Sequence, residues 1–295
     1  MSFPVSYLER VADRLYCKKS SRFFSVNFFF FKIRKGNFCE RRKLQGLLES
    51  MTLKEKAFQL TQAPGLFYVE GAEIVGTDVR DDLTEEELAM MGSTLYIYGQ
   101  EHVKEVQERC MANHPHHIPI LFMMDVIHGY RTVFPIPLGM GASFDPAGAE
   151  EMMRISAAES SAEGIHVAFS PMLDLVRDPR WGRVLESTGE DPYLNGVLGK
   201  AMVKGLQGEK AEHHPDERVS ACIKHFAAYG APDGGRDYQN SELSEHTLRE
   251  YFLPAYRAAA DEGADMVMSS FQTLNGTPSA ANDWLLKDVL RKEWN

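Results

Sequence analysis

The sequence predicts an α/β fold built as a (β/α) barrel. Three observations predict it. Short apolar runs and helical patterns alternate five times between residues 93 and 294, which makes a parallel sheet the default. The apolar runs lack a clean polar–apolar alternation, as expected of strands buried on both faces. Polar and aromatic residues gather just after these runs, the barrel arrangement, while an open nucleotide-binding sheet would need a glycine-rich turn after its first strand. Neither GxGxxG nor GxxxxGK[ST] stands there.

From Leu44 the pattern becomes regular. Leu44, Leu47, Leu48, Met51, Phe58 and Leu60 fall near helical spacing, and Thr52 with Glu55 forms a capping box for the second half. Residues 63–88 are mixed in character and read as a loop with a short helix. "STLYIY" (93–98) is a strand and "QEHVKEVQERCMANH" (100–114) a helix. "IPILFMMD" (118–125) and "PAGAEEMMRISAAESSAEG" (146–164) form the second pair, "HVAFSPM" (166–172) and "PYLNGVLGKAMVKGLQG" (192–208) the third. "RVSACIKHF" (218–226) leads to "SEHTLREYFLPAYRAAADEG" (244–263), and "ADMVMSS" (264–270) to "NDWLLKDVLRKEW" (282–294).

Residues 1–43 do not share this pattern. They hold eleven Lys/Arg against three Asp/Glu, a charge of +8, and leave −18 for the rest of a 295-residue chain whose total is −10. Their Phe-rich stretch Phe23–Ile33 is too short to span a bilayer, and the segment reads as a disordered or non-native extension. The regular domain is therefore 44–295. Its acidity argues against nucleic acid and anionic membrane as partners. Four cysteines, Cys17, Cys39, Cys110 and Cys222, lack close metal spacing and read as free thiols of a reducing compartment, so the expected location is cytoplasmic. "NHPHHIP" (113–119) and "EHHPD" (212–216) lack carboxylate or cysteine partners at site spacing and read as solvated loops, not metal sites.

The strand ends carry the chemistry. Asp125 ends one strand and Arg131 follows six residues on. "DPRWGR" supplies Arg180, Trp181 and Arg183. Lys224 and His225 end another strand, and Ser270 and Phe271 the last. One carboxylate acceptor among several cationic donors suits the vicinal hydroxyls of a sugar, and aromatic rings suit its C–H face. Asp178, Glu186, Glu190 and Asp191 read as braces for the two arginines and as a cap for the helix at Pro192, rather than as paired catalytic carboxylates. Neighbours on a regular strand point to opposite faces, so Lys224 and His225 share a site only if the backbone departs from strand geometry near 225–226. A Schiff-base role for Lys224 has no supporting feature.

"MTLKEKAFQL", "DVIHGYRTVFPIPLG", "SPMLDLVRDPRWGRVLESTGEDPYLNGVLGKAMVKGLQG", "CIKHFAAYG" and "MSSFQTLNGTPSAANDWLLKDVLRKEW" resemble the N-terminal barrel domain of glycoside hydrolase family 3, in order across residues 44–295. The resemblance implies a (β/α)8-type TIM barrel and a retaining β-glucosidase or β-xylosidase activity. It implies that Asp125, Arg183, Lys224 and His225 hold the non-reducing sugar and that Arg131 is a second subsite arginine. Phe271 stands where many relatives carry a tyrosine. No metal or organic cofactor is implied. The loop "KHFAAYGAPDGGRDY" (224–238) lacks the histidine typical of the N-acetylhexosaminidase branch, which leaves that branch as the weaker alternative.

In this family the nucleophilic aspartate lies on a strand following the helix that resembles "LLKDVLRKEW", and the acid/base comes from a further domain. Both are expected beyond Asn295, so no catalytic residue is assigned, and neither Asp265 nor Asp283 is expected to replace the nucleophile. The barrel is then incomplete at its C-terminal end. Two readings stand: the N-terminal part of a β-glucosidase, active on a β-linked glucoside or xyloside when completed by a complementary chain, or an inactive sugar-binding remnant.

Overall fold

The computed structural model describes residues 29–31, 38–70, 83–209 and 217–294, with side chains from Lys43 onward. The Phe-rich stretch, apart from the backbone of strand β1 (Phe29–Phe31), lies outside the described residues. So do Cys17, the side chain of Cys39 and the whole of "EHHPD". The chain divides into two compact units. One contains residues 31–125 and 160–167, the other residues 126–159 and 168–295.

In the first unit the long helical pattern is two helices, α1 (Phe38–Ser50) and α2 (Leu53–Gln59). Thr52 separates them and forms the expected capping box: its hydroxyl accepts Glu55 N–H at 3.2 Å, and Glu55 Oε2 accepts Thr52 N–H at 2.5 Å. A second box, Thr84 with Glu87, starts the short helix α3 (Glu85–Ala89). Strands β2 (Gln62–Pro64), β3 (Ser93–Leu95) and β4 (Leu121–Met124) pair in parallel, Gln62 opposite Ser93 and Ser93 opposite Leu121.

Between β3 and β4 runs α4 (Gln100–Asn113). The buried amide of Gln107 on this helix donates to Ile120 O at 3.0 Å and accepts Ile120 N–H at 2.9 Å. One side chain thus satisfies both backbone groups of the residue before β4. Cys110 on the same helix is a buried free thiol, pushed up to about 11 by burial, and thiolate chemistry is closed to it.

The loop 113–119 corrects the sequence reading. It is not solvated throughout: His114 is 1% exposed, and its Nδ1 accepts His116 N–H at 2.9 Å. An imidazole buried this way satisfies the backbone of its own tight turn.

The boundary between the units falls within α6 (Pro146–Ala162) and β5 (Val167–Ala168). The second unit adds α5 (Pro137–Ser143), α7 (Pro192–Gln207), β6 (Ser220–Phe226), α8 (Pro254–Glu262), β7 (Met266–Ser269), a small hairpin β8–β9 (Thr273–Leu274, Thr277–Pro278) and a wide-turned π-helix, Trp284–Glu293. β6 and β7 pair in parallel, Cys222 opposite Met266. The expected helix 244–263 is interrupted. Leu253 N–H bonds back five residues to Leu248 O at 2.9 Å, a wide turn, before Pro254 opens α8. A proline at this first position lacks only an N–H that the helix start does not need.

Helices α7 and α8 touch through small residues. A Cβ on Gly196 would lie 3.6 Å from Ala258 Cβ and 3.7 Å from Ala255 Cα, so the two backbones approach closely. Gly205 lies so close to Glu150 O, 2.3 Å from where a Cβ would stand, that no side chain fits there.

His166 gives the first unit a pH response. Its Nδ1 accepts Phe122 N–H at 3.0 Å, and its Nε2 is buried. The residue as a whole is partly exposed, but the charge sits on the ring nitrogens, which water does not reach; burial pushes this imidazole down to about 4. The unfolded chain, with an ordinary value near 6.5, then binds a proton that the folded chain refuses. The stabilisation is complete above about pH 6.5 and is lost as pH falls toward about 4, by up to about 3 kcal/mol. Urea midpoints measured from pH 7 to pH 4.5 should fall steeply for the native chain and less steeply for His166→Asn, whose amide oxygen can still accept Phe122 N–H.

Candidate functional site

The most charged stretch, Asp178–Pro192, is a frame. Trp181 is 2% exposed and packs with Met172, Val176 and Tyr229 in one apolar cluster, edge-on to the Tyr229 ring at 5.3 Å. Its indole N–H donates to Asp237 at 3.1 Å, and Asp237 also accepts the Tyr229 hydroxyl at 2.5 Å and the Tyr238 N–H at 3.1 Å. One carboxylate therefore ties the loop after β6 to the Trp181 block. Burial and the bond to Asp237 push the Tyr229 hydroxyl well up, so it stays protonated as a donor.

Three of the four acidic residues of the block, Asp178, Glu186 and Asp191, act as the sequence suggests. Asp178 grips the exposed Arg180, with Nη2 at 2.6 Å from Oδ2, and this pairing holds its carboxyl down at about 2. Asp191 caps α7 by accepting Leu194 N–H at 2.8 Å. Glu186 takes Arg183 in a two-point clasp, Nε at 2.6 Å and Nη2 at 2.8 Å. Of five N–H groups on a guanidinium, two are used in this clasp. Burial opposes the Arg183 charge, but Glu186 and the field of Asp174 more than offset it.

The backbone near 225–226 departs from strand geometry, as the Lys224–His225 pair requires. The β6–β7 register shifts between Ile223 and Phe226, and the Lys224–His225 and Phe226–Ala227 peptide bonds are cis. Lys224 and His225 are both buried, at 3% and 0% exposure. Lys224 is fixed through its backbone, accepting Leu173 N–H at 2.7 Å and donating to Pro171 O at 3.1 Å.

His225 is held by Asp174, a residue to which the sequence analysis gives no role. Asp174, 1% exposed, accepts His225 N–H at 3.0 Å and His225 Nδ1 at 2.7 Å on one oxygen. On the other it accepts Tyr229 N–H at 3.2 Å and the Tyr256 hydroxyl at 2.9 Å. Tyr256, on α8, also lies 2.8 Å from His225 O. The local sequence "LDL" carried a faint signal, a carboxylate between two apolar residues, Leu173 and Leu175, both buried. The donors stand 51 to 82 residues away, and nothing local announces them.

Three of the six predicted sugar-site residues converge on the Tyr229 ring. Arg183 lies over it at 5.6 Å, His225 meets it edge-on at 5.2 Å, and Phe271 lies 5.5 Å away. Phe271 is 46% exposed and also reaches the rings of His225 and Tyr238, at 5.4 and 5.7 Å. Lys224 is covalently next to His225.

The other two predicted residues have their own anchors. Asp125 directly follows β4 in the first unit and accepts the Tyr96 hydroxyl. Arg131 is exposed in the second unit, on a loop hung from Glu159, which accepts Arg131 N–H at 2.8 Å, Thr132 N–H at 2.9 Å and the Thr132 hydroxyl at 2.6 Å. Asp265 stands at the N-terminal side of β7, bonded to Ser220, and Asp283 pairs with Lys287. Among the described residues, no group of three or more His, Cys, Asp or Glu is placed to hold a metal ion.

Residues 52–295 match the family description "Glycosyl hydrolase family 3 N terminal domain". The chain belongs to glycosyl hydrolase family 3. Within the family it is 39% identical to the periplasmic β-glucosidase of Salmonella typhimurium, over 84% of this chain and 31% of that protein. It is 35% identical to a β-xylosidase of Formosa agariphila, over 72% of this chain and 31% of that protein. The solved β-glucosidase of Listeria innocua, in complex with isofagomine, superimposes with a TM-score of 0.81 at 46% identity, over 86% of this chain and 35% of that one. The family 3 domain described here thus spans about a third of the length of these relatives. Its α/β architecture with parallel strands fits the likeness. Among the described residues, no helix is long and apolar enough to cross a membrane.

The Arg183–Glu186 clasp is only one-fifth exposed on either side chain, so solvent screens it less than a surface pair. A double-mutant cycle with Arg183→Met and Glu186→Gln, read by urea denaturation, should return a coupling of about 1–2 kcal/mol. A coupling near zero would mean the clasp does not hold Arg183 in place.

Proposed function

We propose that this chain forms the sugar-holding part of a retaining β-glycosidase of the β-glucosidase type, built on a (β/α)8-type barrel. In this reading Arg183, Lys224 and His225 hydrogen-bond hydroxyls of the non-reducing sugar, and Phe271 lies against the C–H face of its ring; Asp125 is a sugar ligand that the family resemblance implies. Arg131 is proposed as a second arginine of the subsite. The observation that carries the reading is the state of His225: a fully buried imidazole, clasped on one side by Asp174, with its Nε2 lacking any partner among the described residues. An uncompensated buried ring nitrogen is costly, and a sugar hydroxyl would satisfy it. Family membership and the names of the relatives support the substrate class.

Retaining hydrolysis needs two carboxyl groups roughly 5–5.5 Å apart, one attacking and one donating a proton. Asp178, Glu186 and Asp191 are committed to Arg180, Arg183 and the start of α7. As the family resemblance implies, the reacting pair is proposed to lie on the strand and domain that follow this part in the family, on the same or a complementary chain. In isolation the chain would bind a β-linked glucoside or xyloside without turning it over. Cysteine usage supports a cytoplasmic location, and Cys110 and Cys222 are both buried.

Titration of this chain with glucose by calorimetry should show binding. Lys224→Met should weaken it by about tenfold or more, the loss of one charge-assisted hydrogen bond of about 1.4 kcal/mol. Hydrolysis of an aryl β-glucoside should be absent until the family's following segment is supplied. Saturating glucose without heat or spectral change would remove the sugar site, and robust turnover by this chain alone would remove the division between holding and reacting parts.

A further inference from the structure

We propose that Asp174 is a positioning residue that fixes the proton of His225 on Nδ1, so that Nε2 acts as a hydrogen-bond acceptor and the site selects a sugar whose hydroxyl donates at that point. The inference rests on the sugar-site reading above and changes the sign of one contact in it, since His225 would otherwise be counted with Arg183 and Lys224 as a donor.

The argument is one of proton accounting. Asp174 Oδ2 receives His225 N–H at 3.0 Å and lies 2.7 Å from His225 Nδ1. Oδ2, as a carboxylate oxygen with no proton of its own, can only accept, so the short contact to Nδ1 needs the ring proton there. This holds whether or not Oδ1, which faces Tyr229 N–H and the Tyr256 hydroxyl, carries a proton of its own. A neutral imidazole with its proton on Nδ1 leaves Nε2 as a bare lone pair. That atom is buried and has no partner among the described residues.

The surroundings keep the ring neutral. Burial pushes His225 below the ordinary imidazole value, the bond and charge of Asp174 oppose this, and the charges of Lys224 and Arg183 reinforce it. The other polar neighbours, Tyr229 and Tyr256, are both held protonated, and Phe271 adds an apolar ring at 5.4 Å. The ring cannot simply rotate to exchange its nitrogens. Asp174 is itself fixed, its carbonyl accepting the Ser187 hydroxyl at 2.7 Å, and the Tyr229 ring stands edge-on to the imidazole.

The consequence for ligands is specific. Where Arg183 or Lys224 donates, replacing a sugar hydroxyl by fluorine keeps an acceptor in place. At the His225 contact, fluorine removes the donor and sets one lone pair against another. One ring position of glucose should therefore lose about tenfold in affinity on fluorination as well as on removal of the hydroxyl.

The test is nitrogen NMR of the full chain labelled in histidine, with His225→Gln identifying the signals of this ring. At pH 7 the expected pattern is a protonated, pyrrole-like Nδ1 and a bare, pyridine-like Nε2, with Nε2 shifting on addition of glucose. Tyr256→Phe, which removes another donor from the same carboxylate, should keep that pattern. Asp174→Asn should mix the two tautomers; if that variant does not fold, the native spectrum still decides. A proton on Nε2 in the native chain, with a normal glucose response, overturns the inference and leaves the sugar site standing. A bare Nε2 that does not respond to saturating glucose removes the sugar site and the inference with it.

Discussion

A single buried carboxylate organises the second unit. Asp174 leaves the apolar run of the third βα repeat and collects donors from His225, Tyr229 and Tyr256. Burying a carboxylate is expensive unless its lone pairs are met. Here every contact comes from a segment distant in sequence, so the carboxylate is satisfied only when β6, the loop after it and α8 are all in place. The interaction acts as a conditional switch on assembly: partial structure leaves a buried charge unmet, and complete structure does not. It also explains why His225 is rigid enough to present one particular nitrogen.

Around that centre the DPRWGR block serves as carpentry for a single guanidinium. Trp181 fills the apolar cluster, Asp237 straps the next loop to it, and Arg180 stays outside with Asp178. Gly235 follows the same logic: at φ 69 its hydrogen faces Asp178, and a Cβ there would meet the carboxylate carbon at 2.8 Å. Four carboxylates in fifteen residues look like catalytic machinery, yet those with assigned partners brace an arginine or cap a helix. Charge density in a sequence reports where hydrogen bonds are needed, and only geometry tells whether they are spent on substrate or on scaffold.

Much of this was legible in the sequence. The runs that became β4, β6 and β7 stand out because both faces are buried, and the Thr52–Glu55 cap needs only local contacts. The departure of β6 near His225 was legible because two adjacent residues with one job contradict a strand's alternation. What escaped was set by distant partners. β2 is three residues long and ends in proline, and its parallel pairing with β3 makes it a strand. Helix α5 is hidden by Gly139 and Gly141, and Gly141 is there because Thr188 O would lie 2.0 Å from any Cβ. His114 looked solvated among its polar neighbours, yet its own turn uses it. Asp174 was visible as a residue but not as a hub, since the role belongs to the donors.

The wide turn before α8 has a bearing on how the chain tolerates change. A turn closed five residues back accommodates one residue more than a regular helical turn, and each residue advances the azimuth by about 100°. The Leu248–Phe252 turn therefore sets the phase of everything after it, and at that phase Tyr256 points inward to the carboxylate rather than outward. Losing one residue there would tidy the helix locally while aiming a different side chain at Asp174. An irregularity of this kind is under the same constraint as the tyrosine it orients, although it touches no sugar and carries no reactive group.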